Sequence, residues 1–338
     1  MVRDNKIVDG RRAGVILLST VGAGCLDIMK DLIPVKDIKV KKNMTVDELL
    51  KSMGSAGGFT AKKLADATDI VEKIVKNKRC LRFLSFPACI MSTGTRGVIV
   101  DMVKKGMIDL IITTCGTLDH DLSRTWKEYY HGDFMMDDAA LRHEGVSRLG
   151  NVLIPDECYG EVLEDNLLPM FEEIFAESRS MATHEIIDAV GSRVMGEDSL
   201  LHWCHKMKVP IFVPGITDGS FGCQLWMYYQ THRDLRIDLF KDEQTLNSMT
   251  DKAEETGAII IGGGISKHHV IWWNQFRGGL DYAVYLTTAQ EFDGSLSGAQ
   301  VREAVSWGKV KETADTMTVE GDATISLPII MAGLLSRM

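Results

Sequence analysis

The residues best suited to covalent chemistry lie in the run Glu303-Ala304-Val305-Ser306-Trp307-Gly308-Lys309. A lysine attacks an imine or carbonyl carbon only as the neutral amine, and a neighbour such as Trp307 limits the water that stabilises the ammonium form. A lone lysine is usually a solvated surface charge, but beside Trp307 and Gly308 that reading loses ground. Glu303 can pair the ammonium end of a bound amine. The face of Trp307 can attract a cation, worth ~0.5–2 kcal/mol. His268, in Lys267-His268-His269, can exchange a proton near neutral pH; the alternative is a histidine merely hydrogen-bonded in the turn after Gly264. Five further segments are small, polar or glycine-rich: Met91-Ser92-Thr93-Gly94, Thr114-Cys115-Gly116-Thr117, Gly215 to Ser220, Gly262-Gly263-Gly264 and Thr287-Thr288-Ala289-Gln290. Such turns let a backbone approach a phosphate. Asp218 can accept hydrogen bonds from a ribose, or equally cap a helix.

The elements that must hold these groups follow from the pattern of apolar residues. Short runs at Leu81 to Phe86, Met107 to Thr113, Pro210 to Val213, Ala258 to Ile261 and Tyr282 to Leu286 each precede one of the five turns. Their near-continuous apolar character predicts parallel strands buried on both faces. Helical spacing predicts helices at Phe59 to Lys76, Glu161 to Phe175, Phe240 to Thr256 and Thr324 to Arg337. The sum is a doubly wound α/β fold, a mostly parallel sheet of Rossmann-like kind, with the five turns on the edge where ligands bind. Neither a G-x-G-x-x-G after the first strand nor a P-loop occurs.

The 338 residues are 45% hydrophobic and 25% charged, which excludes a disordered, collagenous or coiled-coil chain. A net charge of -9 offers no bulk basic surface to nucleic acid or anionic membrane and suits a cationic small molecule. The seven cysteines include no C-x-x-C pair, which favours free thiols in a reducing cytoplasm. His202-Trp203-Cys204-His205 has no partner cluster, so no metal is assigned. The stretch from Arg11-Arg12 to Cys25 mimics a secretory or lipoprotein signal but is too short to span a membrane. Met29 begins an ordinary soluble opening. Residues 1–28 are therefore expected to be extraneous, and 29–338 a single catalytic domain with a short N-terminal extension.

The run Thr288-Ala289-Gln290-Glu291-Phe292-Asp293-Gly294-Ser295 followed by Glu303 to Lys309 closely resembles the active-site segment of deoxyhypusine synthases. The resemblance continues, in family order, through Val46 to Leu50, Ser92-Thr93-Gly94, Thr113 to Gly116, Arg148 to Asn151, Thr217 to Ser220, Gly262 to Gly264, Lys267-His268-His269 and Gly321-Asp322-Ala323. It implies an NAD-dependent transferase that oxidises spermidine, captures its aminobutyl group as an imine on Lys309, and passes it to a lysine of the hypusine-bearing translation initiation factor. It places Ser92, Thr114, Cys115, Gly116, Asp218, Gly263, Thr288, Ala289, Asp322 and Ala323 around NAD. Asp119, His120, Gly263, His268, Gly294, Ser295, Glu303 and Trp307 fall around the amine, with His268 as proton shuttle. It also implies a homotetramer of paired subunits with sites at the pair interface.

Four positions depart from the better-known eukaryotic pattern. His120 replaces the second of two acidic residues, Cys223 and Leu296 replace aspartates, and Trp272 replaces an asparagine. Each lost charge-assisted hydrogen bond removes ~1.5–3 kcal/mol of amine binding. Two other readings follow: a related transferase using agmatine or putrescine, of the homospermidine-forming type, and a non-catalytic paralogue that regulates an active partner.

Overall fold

The computed structural model describes residues 32–338, and the segment 1–28 expected to be extraneous lies outside them. Six strands form the central sheet: β1 (Cys80–Phe86), β2 (Leu110–Thr113), β3 (Ile211–Phe212), β4 (Glu255–Ile261), β5 (Leu280–Thr287) and β6 (Val310–Glu320). All pairs are parallel, and the spatial order is β3-β2-β1-β4-β5-β6. This is the doubly wound order, with its reversal point between β1 and β4.

Alternation along the strands explains their unbroken apolar character. Leu84, Ile111, Ile259 and Val284 enter one core; Phe83, Ile112, Ala258 and Tyr285 enter a second on the opposite face. Every strand position therefore meets a packed layer, and each fully buried large side chain contributes roughly 1.5–3 kcal/mol.

The helices are α1 (Val46–Ala56), α2 (Phe59–Lys76), α3 (Thr95–Lys104), α4 (Gly116–Trp126), α5 (Gly160–Glu177), α6 (Thr183–Arg193), α7 (Leu200–Met207), α8 (Ser220–Thr231), α9 (Leu239–Lys252), α10 (Gly264–Gln275) and α11 (Ala323–Leu335). Of these, α9 and α10 supply Leu246, Val270 and Ile271 to the second core, and residues of the other helices pack into the first. A three-stranded antiparallel unit (130–131, 146–149, 152–155) stands between α4 and α5. The boundaries of α1 are written in its sequence. Thr45 and Glu48 form a reciprocal capping box, and Gly57 closes the helix in the left-handed region.

The five expected strands are present. The sixth, β6, was not among them, because it pairs with β5 alone and its central residues alternate between half-buried and exposed. The helix expected over Phe240 to Thr256 stops at Lys252, and Glu255 and Thr256 already pair in β4.

One buried ion pair holds the helices that frame the ligand edge. Asp121 on α4 accepts from Arg96 Nε of α3 at 2.8 Å. It also accepts from Ser199 Oγ and the Leu200 and Leu201 amides, capping α7. Asp121→Ala strands a buried guanidinium, so unfolding free energy should fall by ~3–5 kcal/mol, read as a lower urea midpoint, with Asp121→Asn losing less.

Candidate active site

At the carboxyl ends of the strands, where the order reverses, lies a cleft of about 1360 Å³. Ser92, Thr114, Gly263, Thr288, Ala289, Asp322 and Ala323 line it. Three helices, α3, α10 and α11, start at this edge. The residue before α10 is Gly263, which provides no side-chain cap and leaves backbone N–H groups for an anionic ligand, whereas at the start of α3 the Thr93 hydroxyl accepts from the Thr95 amide and the Thr93 and Gly94 carbonyls from the next two amides. Asp322 caps α11 through the Thr324 amide. Thr114 Oγ1 accepts from the Ala88 amide and ties the turn after β1 to the end of β2. Cys115, Gly116 and Asp218 are not among the lining residues. Cys115 is packed in the core, and Gly219 passes so close to it that a Cβ there would come within 2.7 Å of its sulfur.

Lys309 lies elsewhere. The left-handed turn at Gly308 (φ 66) aims it inward from the short helix 303–306, and it is only 8% exposed. Its Nζ is 3.4 Å from His268 Nε2, 5.2 Å from the centre of the Trp307 ring and 5.8 Å from that of Trp272. The His268 ring stacks on Trp272. Burial, and then the Lys309 charge, lower the His268 pKa, so its imidazole is neutral at pH 7 and can take a proton. Glu303 is exposed at the start of the short helix. Gly294 and Ser295 are exposed in the loop before it, where Gly294 takes a left-handed turn.

None of Lys309, His268, Trp272, Glu303 or Trp307 lines the cleft. The backbone of Lys309 sits at the amino end of β5, where its carbonyl accepts from Leu280, while its Nζ reaches His268, one turn of α10 beyond Gly264 and Ile265 of the cleft wall.

Asp119 and His120, expected at the amine, are closed off. Asp119 is 0% exposed and accepts from Tyr159 Oη (2.8 Å) and from the Ser220 (2.9 Å) and Phe221 (2.7 Å) amides, capping α8. A carboxylate is needed there because a helix N-terminus is buried against it. His120 Nδ1 lies 3.0 Å from Tyr129 Oη, and burial pushes its pKa down to about 4. The His202, Cys204 and His205 side chains diverge: His202 bonds the Val194 carbonyl, His205 pairs with Asp188, and Cys204 is buried. No cluster of three metal-binding side chains occurs among the described residues, and no helix among them is long and apolar enough to cross a membrane.

Two residues that sequence reasoning did not single out organise the site. Arg124 Nη1 donates to the carbonyls of Met91 and Thr93 and fixes the turn after β1. Lys267, 1% exposed, donates to the carbonyls of Leu296 (2.7 Å) and Ala299 (2.8 Å) and lies over the Tyr285 ring, pinning the loop between β5 and the short helix. Buried lysines are rare enough that the Lys-His-His motif could have flagged it. Burial lowers its pKa from 10.5 to about 8, with Glu303 opposing. Between those two values the unfolded chain holds more protons than the folded one, so stability rises with pH across that window. Urea unfolding from pH 8 to 10.5 should show this rise in the wild type and not in Lys267→Met.

Residues 48–334 match the family described as deoxyhypusine synthase. A relative from Picrophilus torridus, provisionally described as a deoxyhypusine synthase, is 51% identical over 302 residues, covering 89% of this chain and 97% of the relative. One from Ignicoccus hospitalis, so described too, is 46% identical over 317 residues, covering 92% and 98%. A crystal structure from Entamoeba histolytica with the same provisional description superposes with a TM-score of 0.66 at 23% identity, over 89% of this chain and 97% of that one, and supports the fold. The chain belongs to the deoxyhypusine synthase family.

Proposed function

We propose that this protein is a deoxyhypusine synthase: it moves the aminobutyl group of spermidine, by way of an imine on Lys309, to a lysine of the hypusine-bearing translation initiation factor. The observation that carries the reading is the setting of Lys309, buried between two indoles with a neutral histidine at 3.4 Å from its Nζ. A lysine so placed can surrender a proton to His268 Nε2 and become a nucleophile.

The cleft suits NAD. It stands at the reversal point of the sheet, has the volume of a dinucleotide site, and offers an uncapped helix start at Gly263. Ser92, Thr114, Gly263, Thr288, Ala289, Asp322 and Ala323 would hold it. When bound, NAD supplies a hydride acceptor for the donor amine and returns the hydride to the final imine. The Lys309 amine adds to the oxidised carbon of the donor, its C–N bond to diaminopropane breaks, and diaminopropane leaves with the electron pair and a proton. The acceptor lysine displaces Lys309 in the same manner.

The face that carries Lys309 is open, and a second copy of the chain laid on it would complete the site. That face is unusually apolar for a surface: Ile265, Trp272 and Phe276 of α10, with Phe292 and Trp307, are all exposed. This supports assembly through paired subunits, consistent with a cytoplasmic homotetramer. The absence of any ion pair to Lys309 among the described residues, with Cys223 and Leu296 where the family has acids, keeps a smaller donor such as agmatine or putrescine as the second reading.

Borohydride added to the enzyme with NAD and labelled spermidine should fix label on Lys309, and Lys309→Ala should abolish it. Label from agmatine but not from spermidine would transfer the assignment to the second reading. The shared site makes a separate prediction. A cleft-blocking variant, Gly94→Trp, and Lys309→Ala should each be inactive alone, and subunit exchange between them should restore activity that neither has; no recovery would place both halves in one chain.

A further inference from the structure

We infer that Trp272 is a specificity-determining residue of the amine pocket, its indole adding to that of Trp307 a second aromatic wall that recognises the donor's ammonium group by charge and apolar surface. The inference rests on the proposed reading and deepens it. Three observations carry it. Two indole faces lie 5.2 and 5.8 Å from the one cation in the pocket, Lys309 Nζ, within the ~6 Å over which a ring quadrupole attracts a cation. Both rings present open surface, Trp272 being 41% and Trp307 63% exposed, so a second cation can reach them.

The third observation is that Trp272 is held in place. On α10, His268, Trp272 and Phe276 follow one another at four-residue intervals on one face. The Trp272 ring stacks on His268 at 26° and meets Phe276 edge-on at 89°. An indole fixed between two rings presents its face without the entropy cost of ordering it on binding.

The chemistry gives a discriminating probe. An acceptor site of carboxylates or amides binds N–H groups and loses a quaternary ammonium, whereas an aromatic wall tolerates or prefers one. Calorimetry on the NAD-loaded oligomer should therefore find butyltrimethylammonium binding comparably to butylammonium. Trp272→Asn should weaken the quaternary ligand by about tenfold more than the primary one, and Trp272→Phe, which keeps a ring face, should recover most of the loss. Failure of the quaternary ligand to bind wild type, or equal losses for both ligands in Trp272→Asn, would overturn the inference. Borohydride trapping of labelled spermidine on the same preparations reports on Lys309 chemistry independently, so trapping without quaternary binding removes the aromatic wall and leaves the transferase.

Discussion

A sheet whose strands all run one way has two unlike edges, and the arrangement of this molecule descends from that fact. Every helix that follows a strand directly begins at the carboxyl edge, so helix N-termini and glycine turns accumulate there, and the opposite edge receives the ends of helices and the starts of strands. Lys309 belongs to the second edge because it immediately precedes β6. Helix α10 is one of two links between these environments within the chain, the other being the loop that runs from Thr288 and Ser297 of the cleft to Glu303. The helix starts in the glycine turn at the cleft, carries Lys267 and His268 in its first turns and Trp272 in its third, and ends beside Leu280. Its length and phase set how the lysine pocket is oriented to the nucleotide edge.

The buried carboxylates share one structural duty. Asp119 caps α8, Asp121 caps α7, and Asp242 accepts from the Thr183 and His184 amides at the start of α6. Each is carried by a different element from the helix it caps, so each ties two elements together while satisfying donors that would otherwise be buried alone. These three carboxylates therefore belong to the framework and are not available to a cationic ligand.

The sequence disclosed what depends on local pattern. Strands buried on both faces leave unbroken apolar runs, and the turns after them are recognisable because tight, ligand-facing turns demand small residues. Ser92, Thr114, Gly263 and Thr288 could be named in this way, whereas Asp322, which follows β6, is indicated only by the family resemblance. What could not be read is whatever depends on the far partner. Strand β6 lacks a neighbour on one side and so lacks the apolar signature. Asp119 looks like a ligand for a cation until its three donors, contributed from 40 to 102 residues away, are seen. Lys267 and Arg124 act through backbone carbonyls, which leave no mark on the sequence. That the Lys309 backbone starts from the amino edge while its Nζ reaches back to His268 depends on strand direction, which adjacent motifs in the sequence conceal.

The outer strand β6 has a further consequence. Lys63 and Lys73 of α2 form ion pairs with its Glu320 and Asp315, and Lys311 pairs with Asp281. The other edge of the sheet, β3, is two residues long. Charged on one margin and truncated on the other, the sheet is protected against edge-to-edge strand addition, the usual route to runaway aggregation. Self-association is thereby channelled to side-chain surfaces, which close after a fixed number of copies where a backbone template would keep growing.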